Sequence, residues 1–292
     1  MTDTAATEAP LAGPIPAPEP GVYRGIPEEA YFRWAAMSQS RCKTLDDRSP
    51  KVLRWEIDHP RPPTKAMDAG KAAHKLALEP FAFNDVYVVG PVCDKRTKAG
   101  KEAWAELEEL HAGKKVLPAA DYLVIQGMAA ELFRHPDARE YLSGGESEVS
   151  IVWDDEIAGV RCKARIDYLN PPVIPDMKTT RTQNAREFGR SIWEYGYDRQ
   201  AAMYLDGCRA LGLDVDMVIF VTVEHEAPFD VAPWIADKDV LACGRFRYRR
   251  ALDTFARCER TGDWHGKCPG TERIAMPDYA LKDVGIEREF LL

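Results

Sequence analysis

The clearest pattern along the chain is an alternation of apolar and polar residues between positions 149 and 178, which indicates β-strands. It predicts strands over 149–153, 160–169 and 173–178, with an acidic turn after the first and the turn sequence Asn170-Pro171-Pro172 after the second. One face of the second strand is apolar. The opposite face carries the charged residues Arg161, Lys163, Arg165 and Asp167. We therefore expect three basic side chains beside one acid, well placed to contact an anionic substrate.

Elsewhere the apolar residues recur every three or four positions, as they do on one face of a helix. This spacing predicts helices over 27–37, 50–57, 66–79, 102–111, 119–134, 185–193, 197–211 and 237–260. Apolar runs at 86–89 and 217–223 predict two further strands, and the charged stretch 94–101 predicts a loop. Strands and helices in this order predict an α/β fold, with a central mixed β-sheet flanked by helices. Residues 1–20 are rich in alanine and proline, so they predict a flexible tail before a single domain over 21–292.

Composition narrows the functional class only slightly. The chain has 292 residues, of which 45% are hydrophobic, and this is ordinary for a globular protein. Its net charge of −8 argues against binding nucleic acid through overall charge, although local basic strips can still attract a polyanion. There are seven cysteines without a C-x-x-C pair, no signal peptide and no apolar run of about 18 residues. These features predict a soluble cytoplasmic protein with reduced thiols and no membrane span.

Two acids and a lysine on consecutive predicted strands are the main candidates for chemistry. Asp167 lies near the end of the second strand, and Asp176 and Lys178 share one face of the third, because residues i and i+2 of a strand point the same way. Two carboxylates from paired strands can hold Mg²⁺, and a nearby lysine can stabilise developing charge or orient a metal-bound water. The pattern predicts phosphodiester hydrolysis, with a solvated surface as the alternative for an isolated Asp-x-Lys. Pro175 lacks a backbone donor, so this strand is either irregular or without a partner on its outer side.

Two residue pairs on predicted helices accompany these strands. Gly70 and His74 are four residues apart on an otherwise apolar helix face. The histidine is either a metal ligand or a hydrogen-bonded core residue, and the glycine suggests close approach of another backbone. Gln200 and Tyr204 also share a helix face. They either support the site or are a surface glutamine and a core tyrosine.

In chain order these residues form the series Gly-x-x-x-His, Asp, Asp-x-Lys and Gln-x-x-x-Tyr, which resembles the PD-(D/E)xK nuclease superfamily. The sequence resembles in particular its phage and bacterial exonucleases, such as the nuclease domain of exodeoxyribonuclease VIII. Residues 70–80, which end in Leu-Glu-Pro, and residues 197–207 share this resemblance. It covers residues 22–292 in all.

The resemblance implies an enzyme that hydrolyses DNA phosphodiesters with Mg²⁺ or Mn²⁺. It implies that His74, Asp167, Asp176 and the Met177 carbonyl hold the metal, while Lys178 orients or activates the attacking water. The residues expected to support the site or contact the substrate are Gln200, Tyr204, Glu148, Arg165 and Thr179. Glu148 stands where related nucleases often carry another acid, but Glu146 lies two residues away on the same face.

The biological role implied by the resemblance is resection of one strand of linear duplex DNA during recombination. A ring-like homo-oligomer and a single-strand annealing protein as partner belong to the same expectation. Within the superfamily, a role in CRISPR adaptation or restriction is the alternative. Outside enzymes, the alternative is a DNA-binding module that keeps the fold without turnover.

Two other features of the sequence leave their roles open. Some relatives of the superfamily hold an iron–sulfur cluster, and Cys42, Cys243, Cys258 and Cys268 have a loosely compatible order without the usual tight spacing. The last long predicted helix carries many arginines between Arg245 and Arg260. These contact phosphates or form a solvated helix face.

Overall fold

The computed structural model describes residues 13–59, 65–268 and 270–287. Its helices are α1 (Glu28–Arg33), α2 (Gln39–Asp47), α3 (Pro50–Asp58), α4 (Lys65–Leu78), α5 (Pro80–Val86), α6 (Lys98–Leu110), α7 (Ala119–Arg134), α8 (Pro136–Tyr141), α9 (Ala185–Tyr195), α10 (Tyr197–Ala210), α11 (Lys238–Thr261) and α12 (Asp278–Asp283). Its strands are β1 (Ile15–Pro16), β2 (Gly21–Tyr23), β3 (Trp34–Ala35), β4 (Tyr87–Val89), β5 (Lys115–Leu117), β6 (Glu146–Asp155), β7 (Val160–Leu169), β8 (Val173–Thr180), β9 (Met217–Glu224) and β10 (Val231–Ile235).

Two three-stranded sheets form the centre of the molecule. Strands β2, β6 and β7 are antiparallel, with Ile151 opposite Ala164 in the β6–β7 ladder. Strands β8 and β9 run parallel, and β10 is antiparallel to β9. A bridge between Asn170 and Val173 connects β7 to β8, and these two strands lie side by side. The strands that carry the two candidate acids are therefore neighbours.

Helices cover both faces of these sheets. On one face, Ile166 of β7 and Phe220 of β9 belong to a buried cluster with Leu205 of α10 and apolar residues of α2 and α11. On the other face, Met177 of β8 and Val221 of β9 pack against alanines of α4 and apolar residues of α7. Adjacent residues of β8 and β9 thus point into opposite cores, as strand alternation requires. The predicted α/β fold with sheets flanked by helices is confirmed.

Pro175 lies in a regular strand at the edge of its sheet. All eight residues of β8 pair with β9, including Pro175 opposite Ile219. Across the described part of the chain, the bridge from Asn170 to Val173 is the single backbone pairing between β7 and β8. The outer side of β8 therefore has no ladder that needs a donor from the proline. The expectation that β8 lacks a partner on its outer side is confirmed. The alternative expectation, that the strand is irregular, is wrong.

The helix predicted over 27–37 is wrong beyond Arg33. Trp34–Ala35 form β3, and Met37 exchanges two backbone hydrogen bonds with β7. Its N–H donates to the Arg161 carbonyl at 2.8 Å, and its carbonyl accepts from the Lys163 N–H at 2.7 Å. The chain leaves the helix because an extended segment can satisfy its backbone groups against β7.

Two helix starts follow capping residues that the sequence patterns did not identify. The Ser38 hydroxyl accepts from the Arg41 N–H and begins α2, a helix that was not predicted. The Thr97 hydroxyl accepts from the Gly100 N–H, so α6 begins inside the loop predicted over 94–101. Serine and threonine side chains stabilise helix starts by such bonds.

Part of the predicted tail contacts the domain. Residues 1–12 lie outside the described residues. Ile15–Pro16 pair with β3, and the Gly13 carbonyl accepts a 3.0 Å hydrogen bond from Arg33. Ile15 also packs against a small cluster that contains Tyr31 and Trp34.

The cysteines of the chain are free thiols in this structure. Cys42 and Cys258 are buried, whereas Cys243 and Cys268 are exposed. As for membranes, none of the helices in the described ranges combines the length and the apolar character that crossing a bilayer requires.

Candidate active site

Asp176 and Lys178 form a buried ion pair on β8. Lys178 Nζ lies 2.6 Å from Asp176 Oδ1, and the side chain of Asp176 is only 3% exposed. The second carboxylate oxygen, Asp176 Oδ2, is buried and has no hydrogen-bond partner. Because a buried carboxylate oxygen without a partner costs free energy, this atom is a candidate for an additional ligand.

Asp167 and His74 form a second pair, between β7 and α4. His74 Nδ1 lies 3.3 Å from Asp167 Oδ2, and both side chains are about one quarter exposed (26% and 23%). Both line a cleft of about 1140 Å³, as does Lys178. The histidine therefore contacts a candidate acid at the cleft wall and is not an isolated core residue.

The charges of these four groups depend on one another. Burial raises the pKa of Asp176, and the Asp167 carboxylate raises it further. Together these two effects exceed the lowering by Lys178. Burial also acts to raise the pKa of Asp167, but His74 outweighs it and holds that pKa below its ordinary value. Burial lowers the pKa of His74 and of Lys178, yet their carboxylate neighbours raise both pKa values overall. The site therefore favours an ionised Asp167 beside His74 and Lys178.

Gln200 and Tyr204 connect α10 to both acidic strands. Gln200 Nε2 lies 3.4 Å from Asp176 Oδ1 and 3.3 Å from the Tyr204 hydroxyl. That hydroxyl donates to the Arg165 carbonyl on β7 at 2.9 Å. The pair therefore links Asp176 to the strand that carries Asp167.

Glu148 and Arg165 form an ion pair next to Asp167. The Arg165 Nε donates to the Glu148 carboxylate, and both residues line the cleft. Glu148 has a φ of 55°, a left-handed conformation that is uncommon for a residue other than glycine. Arg165 Nη1 is buried without a hydrogen-bond partner. Glu146, by contrast, pairs with Arg24 at an exposed position.

Met177 and Thr179 lie on the opposite face of β8 from Lys178. The Met177 side chain is buried in the core that contacts α4 and α7, so a contribution to a metal site would come from its carbonyl alone. Thr179 is exposed and shares that face by strand alternation. The structure does not bring the Thr179 side chain to the cleft.

The expectation that three cations of β7 contact substrate is wrong for two of them. Lys163 is 2% exposed and donates to the carbonyls of Tyr31 at 2.7 Å and Trp34 at 2.9 Å. Burial, with a smaller effect from Arg41, lowers the pKa of Lys163 to about 6. Arg161 pairs with Asp154. The segment around α1 and β3 covers this face of β7, and Arg165 remains beside the cleft.

The cleft is richer in cations than the chain as a whole. Of the described residues that line it, seven are lysine or arginine, one of which is the buried Lys163, and four are aspartate or glutamate, although the chain carries a net charge of −8. Gly70 also lines the cleft, and a Cβ atom at this position would meet nothing within 4 Å. The expectation that another backbone approaches Gly70 is therefore wrong. The glycine faces open space.

Four arginines of α11 form ion pairs within the protein, and for the buried Arg247 neither a phosphate contact nor a solvated helix face holds. Arg245 binds Asp206 at 2.6 Å, and Arg247 binds the buried Asp198 at 3.0 Å. Arg249 and Arg250 pair with the carboxylates of Asp155 and Asp46. These contacts attach α11 to α10, α2 and β6.

Several cleft residues were not identified from the sequence. They are Phe32, Ser38, Gln39, Arg41, Lys71, Lys75 and Glu79. Glu79 belongs to the Leu-Glu-Pro sequence that supports the family resemblance, and this signal could have identified it. Lys71 and Lys75 lie in the same 70–80 segment, on the helix that carries His74. The others belong to segments whose approach to the cleft depends on tertiary packing.

The donor set fits a divalent metal. Among the described residues, no group of three or more histidine, cysteine, aspartate or glutamate side chains is arranged to hold a metal ion, so other donors would have to complete the site. The atoms available are the unpartnered Asp176 Oδ2, the Asp167 carboxylate and His74 beside it. Carboxylate and carbonyl oxygens are the ligands that Mg²⁺ and Mn²⁺ prefer, and Mg²⁺ usually keeps several waters.

Comparison with known proteins agrees with the fold. A family model described as a PDDEXK-like domain of unknown function (DUF3799) matches residues 38–276. A crystal structure of a "Putative exonuclease" from Eubacterium rectale is similar with a TM-score of 0.53 and 14% sequence identity, and the match covers 90% of this chain and 98% of that one. No curated protein matches the sequence. The chain therefore belongs to the family of PDDEXK-like domains described as DUF3799, and it has a nuclease-like fold.

Proposed function

We propose that this protein is a metal-dependent nuclease that degrades linear duplex DNA from its ends. The main support is the position of Asp167 and Lys178 on the wall of a cation-rich cleft, with Asp176 paired to Lys178 and one of its carboxylate oxygens buried and unpartnered. Membership of a PDDEXK-like family supports hydrolysis of phosphodiesters in general. The choice of DNA ends as substrate rests on the resemblance of the sequence to the exodeoxyribonuclease VIII type.

In this proposal His74, Asp167, Asp176 and the Met177 carbonyl hold Mg²⁺ or Mn²⁺. When bound there, the metal would neutralise charge at the phosphate and lower the pKa of a water. Lys178 orients the attacking water and stabilises the developing negative charge. Gln200 holds the Asp176 carboxylate, and Tyr204 fixes the distance between α10 and β7.

We also propose the biological setting implied by the resemblance. It comprises resection of one strand during recombination, a homo-oligomer, a single-strand annealing protein as partner and a location in the cytoplasm. A cation-rich cleft beside the acids is compatible with a polyanionic substrate of this kind.

The decisive experiment compares a linear duplex with the same DNA as a covalently closed circle. With Mg²⁺ or Mn²⁺, the protein should degrade the linear form, leave the circle intact and stop on addition of EDTA. The variant Asp176→Asn, matched in size, should be inactive on both. Cleavage of the closed circle would replace the exonuclease with an endonuclease. Binding without cleavage under either metal would refute the enzyme and favour a DNA-binding module.

A further inference from the structure

Phe32 is a largely exposed aromatic ring on the wall of the cleft. Its side chain is 56% exposed, and it lines the same cleft as Asp167 and Lys178. Exposure falls from Phe32 to Asp167 at 23% and then to Asp176 at 3%. The ring is therefore the most exposed of these side chains, and the ion pair of β8 is the most buried.

The backbone that carries this ring is fixed to the strand that carries Asp167. Lys163 of β7 reaches across to donate to the Phe32 carbonyl at 3.3 Å, and to the carbonyls of Tyr31 and Trp34. Tyr31 is buried and contacts the Phe32 ring edge-to-face, with centroids 5.5 Å apart. A buried lysine with three carbonyl acceptors leaves this segment little freedom. The position of the ring relative to Asp167 is thus set by β7 itself.

Cations lie next to the ring on the cleft wall. Lys71 Nζ lies 5.9 Å from the centroid of the Phe32 ring and pairs with Glu28, and Arg165 lies 5.7 Å from the centroid of the Tyr31 ring. Proteins that bind single-stranded nucleic acid combine such cations, which contact phosphates, with aromatic rings on which bases stack. Stacking needs a base with a free face, and inside a duplex the neighbouring bases of the stack cover both faces of each base.

We propose that Phe32 is a stacking platform for an unpaired nucleobase of the DNA strand whose phosphate lies at Asp167 and Lys178. This inference rests on the proposed nuclease function and adds that the strand is single-stranded, or frayed, where it enters the site. The ligand is a base on a phosphodiester chain. Phe32 provides a face for stacking without hydrogen bonds, so the contact tolerates any base.

The test measures binding of a fluorescein-labelled single-stranded oligonucleotide by anisotropy in the presence of EDTA, so that cleavage does not interfere. Phe32→Ala should weaken binding on the order of 5- to 150-fold, the effect of losing one base–aromatic stack. Phe32→Trp should bind like the wild type, since it restores a ring. The matched control is Phe81→Ala, because Phe81 is 99% exposed on α5 and is not among the described residues that line the cleft.

A series of oligonucleotides, each with one abasic position, locates the contact. In the wild type, one abasic position should cause a loss similar to that of Phe32→Ala, and the same oligonucleotide should cause no further loss in that variant. Wild-type affinity in Phe32→Ala, or additive losses at every abasic position, would overturn the stacking platform. In that case cleavage of linear DNA by the wild type would leave the nuclease proposal standing. If the wild type neither binds nor cleaves DNA, both proposals fail.

Discussion

At the scale of single residues, Asp167 is surrounded by charged groups from three elements. His74 of α4 contacts it directly, and the Glu148–Arg165 pair of β6 and β7 lies beside it. The unusual φ of 55° at Glu148 occurs where the β6–β7 ladder is interrupted, between the pairs of Ser147 with Tyr168 and Val149 with Ile166. Strained conformations that persist near polar clefts often have a functional reason. In this molecule, the reason would be the orientation of Arg165 by the Glu148 carboxylate.

We predict that Glu148→Gln lowers the rate of DNA cleavage by roughly 10- to 100-fold, the usual effect of removing a residue that orients a site from outside it. The charge-assisted bond to Arg165 is lost, so the guanidinium next to Asp167 is free to move. The measurement is cleavage of a linear duplex at saturating metal, with thermal unfolding as a check of the fold.

Glu146→Gln is the matched control for this variant. Glu146 lies on the same strand and also pairs with an arginine, but its side chain is 50% exposed and does not line the cleft among the described residues. Loss of this carboxylate should change the rate of cleavage by less than about 2-fold, because an exposed ion pair contributes little to the stability of the structure around it. Equal effects of the two variants would remove Glu148 from the site.

The sequence predicted the core of the site for a simple geometric reason. The i and i+2 relation places Asp176 and Lys178 on one face, and this relation is local. Lys163 occupies a face that the pattern indicates as charged, but the alternation contains no information about α1 and β3, which cover that face. Phe32 and Arg41 reach the cleft through the same distant packing. Local periodicity thus identifies which residues point together, and long-range contacts decide whether they meet solvent.

At the scale of elements, the position of α10 decides whether Gln200 and Tyr204 reach the acidic strands. Helix α11 holds α10 from behind through ion pairs such as Arg247 with Asp198. The two helices approach closely at Gly244, where a Cβ atom would lie 1.9 Å from the Asp198 carbonyl oxygen. Such a distance is far inside contact, so any side chain at this position must separate the helices.

Gly244→Ala should therefore destabilise the protein by about 1–3 kcal/mol, the usual cost of inserting atoms into a packed interface. Because α10 would shift, cleavage activity should also fall. The measurement is the free energy of unfolding in urea. Gly189→Ala is the control, since Gly189 is also within a helix but a Cβ atom there would meet nothing within 4 Å. Gly189→Ala should be more stable than the wild type by about 0.5–1 kcal/mol. If both variants were destabilised by similar amounts, the close approach of α10 and α11 at Gly244 would be contradicted.

The elements themselves were predictable to different degrees. The strands β7 and β8 and the helices α10 and α11 follow strong periodic patterns, and the structure contains them close to their predicted bounds. Helix α2 is mostly polar, so apolar spacing gives no signal, although Ser38 is a capping residue. The extended segment at Trp34–Ala35 has no local signal either, because it forms through pairing with residues near the N-terminus.

At the scale of the whole molecule, the charge distribution is uneven. The chain is acidic overall, while lysine and arginine outnumber the acids along the cleft. Much of the remaining charge neutralises itself in ion pairs between elements, such as Arg199 with Asp46 at 2.6 Å. Asp167 and Asp176 repel each other even with His74 and Lys178 beside them, because Asp167 still acts to raise the pKa of Asp176. A divalent metal should therefore bind the folded state and stabilise it.

We predict that Mn²⁺ raises the melting temperature of the wild-type protein, because a ligand that binds only the folded state adds about 2.7 kcal/mol of stability at 100 times its dissociation constant. The variant Asp176→Asn removes the carboxylate with the unpartnered oxygen, so its melting temperature should respond little to Mn²⁺. Asp154→Asn is the control for nonspecific binding, since Asp154 is an exposed acid paired with Arg161. Thermal unfolding monitored by circular dichroism, with and without EDTA, measures these shifts independently of DNA cleavage. A shift in melting temperature that persists in Asp176→Asn would place the metal elsewhere. If Mn²⁺ did not shift the melting temperature of the wild type, the proposed metal site at Asp167 and Asp176 would be wrong.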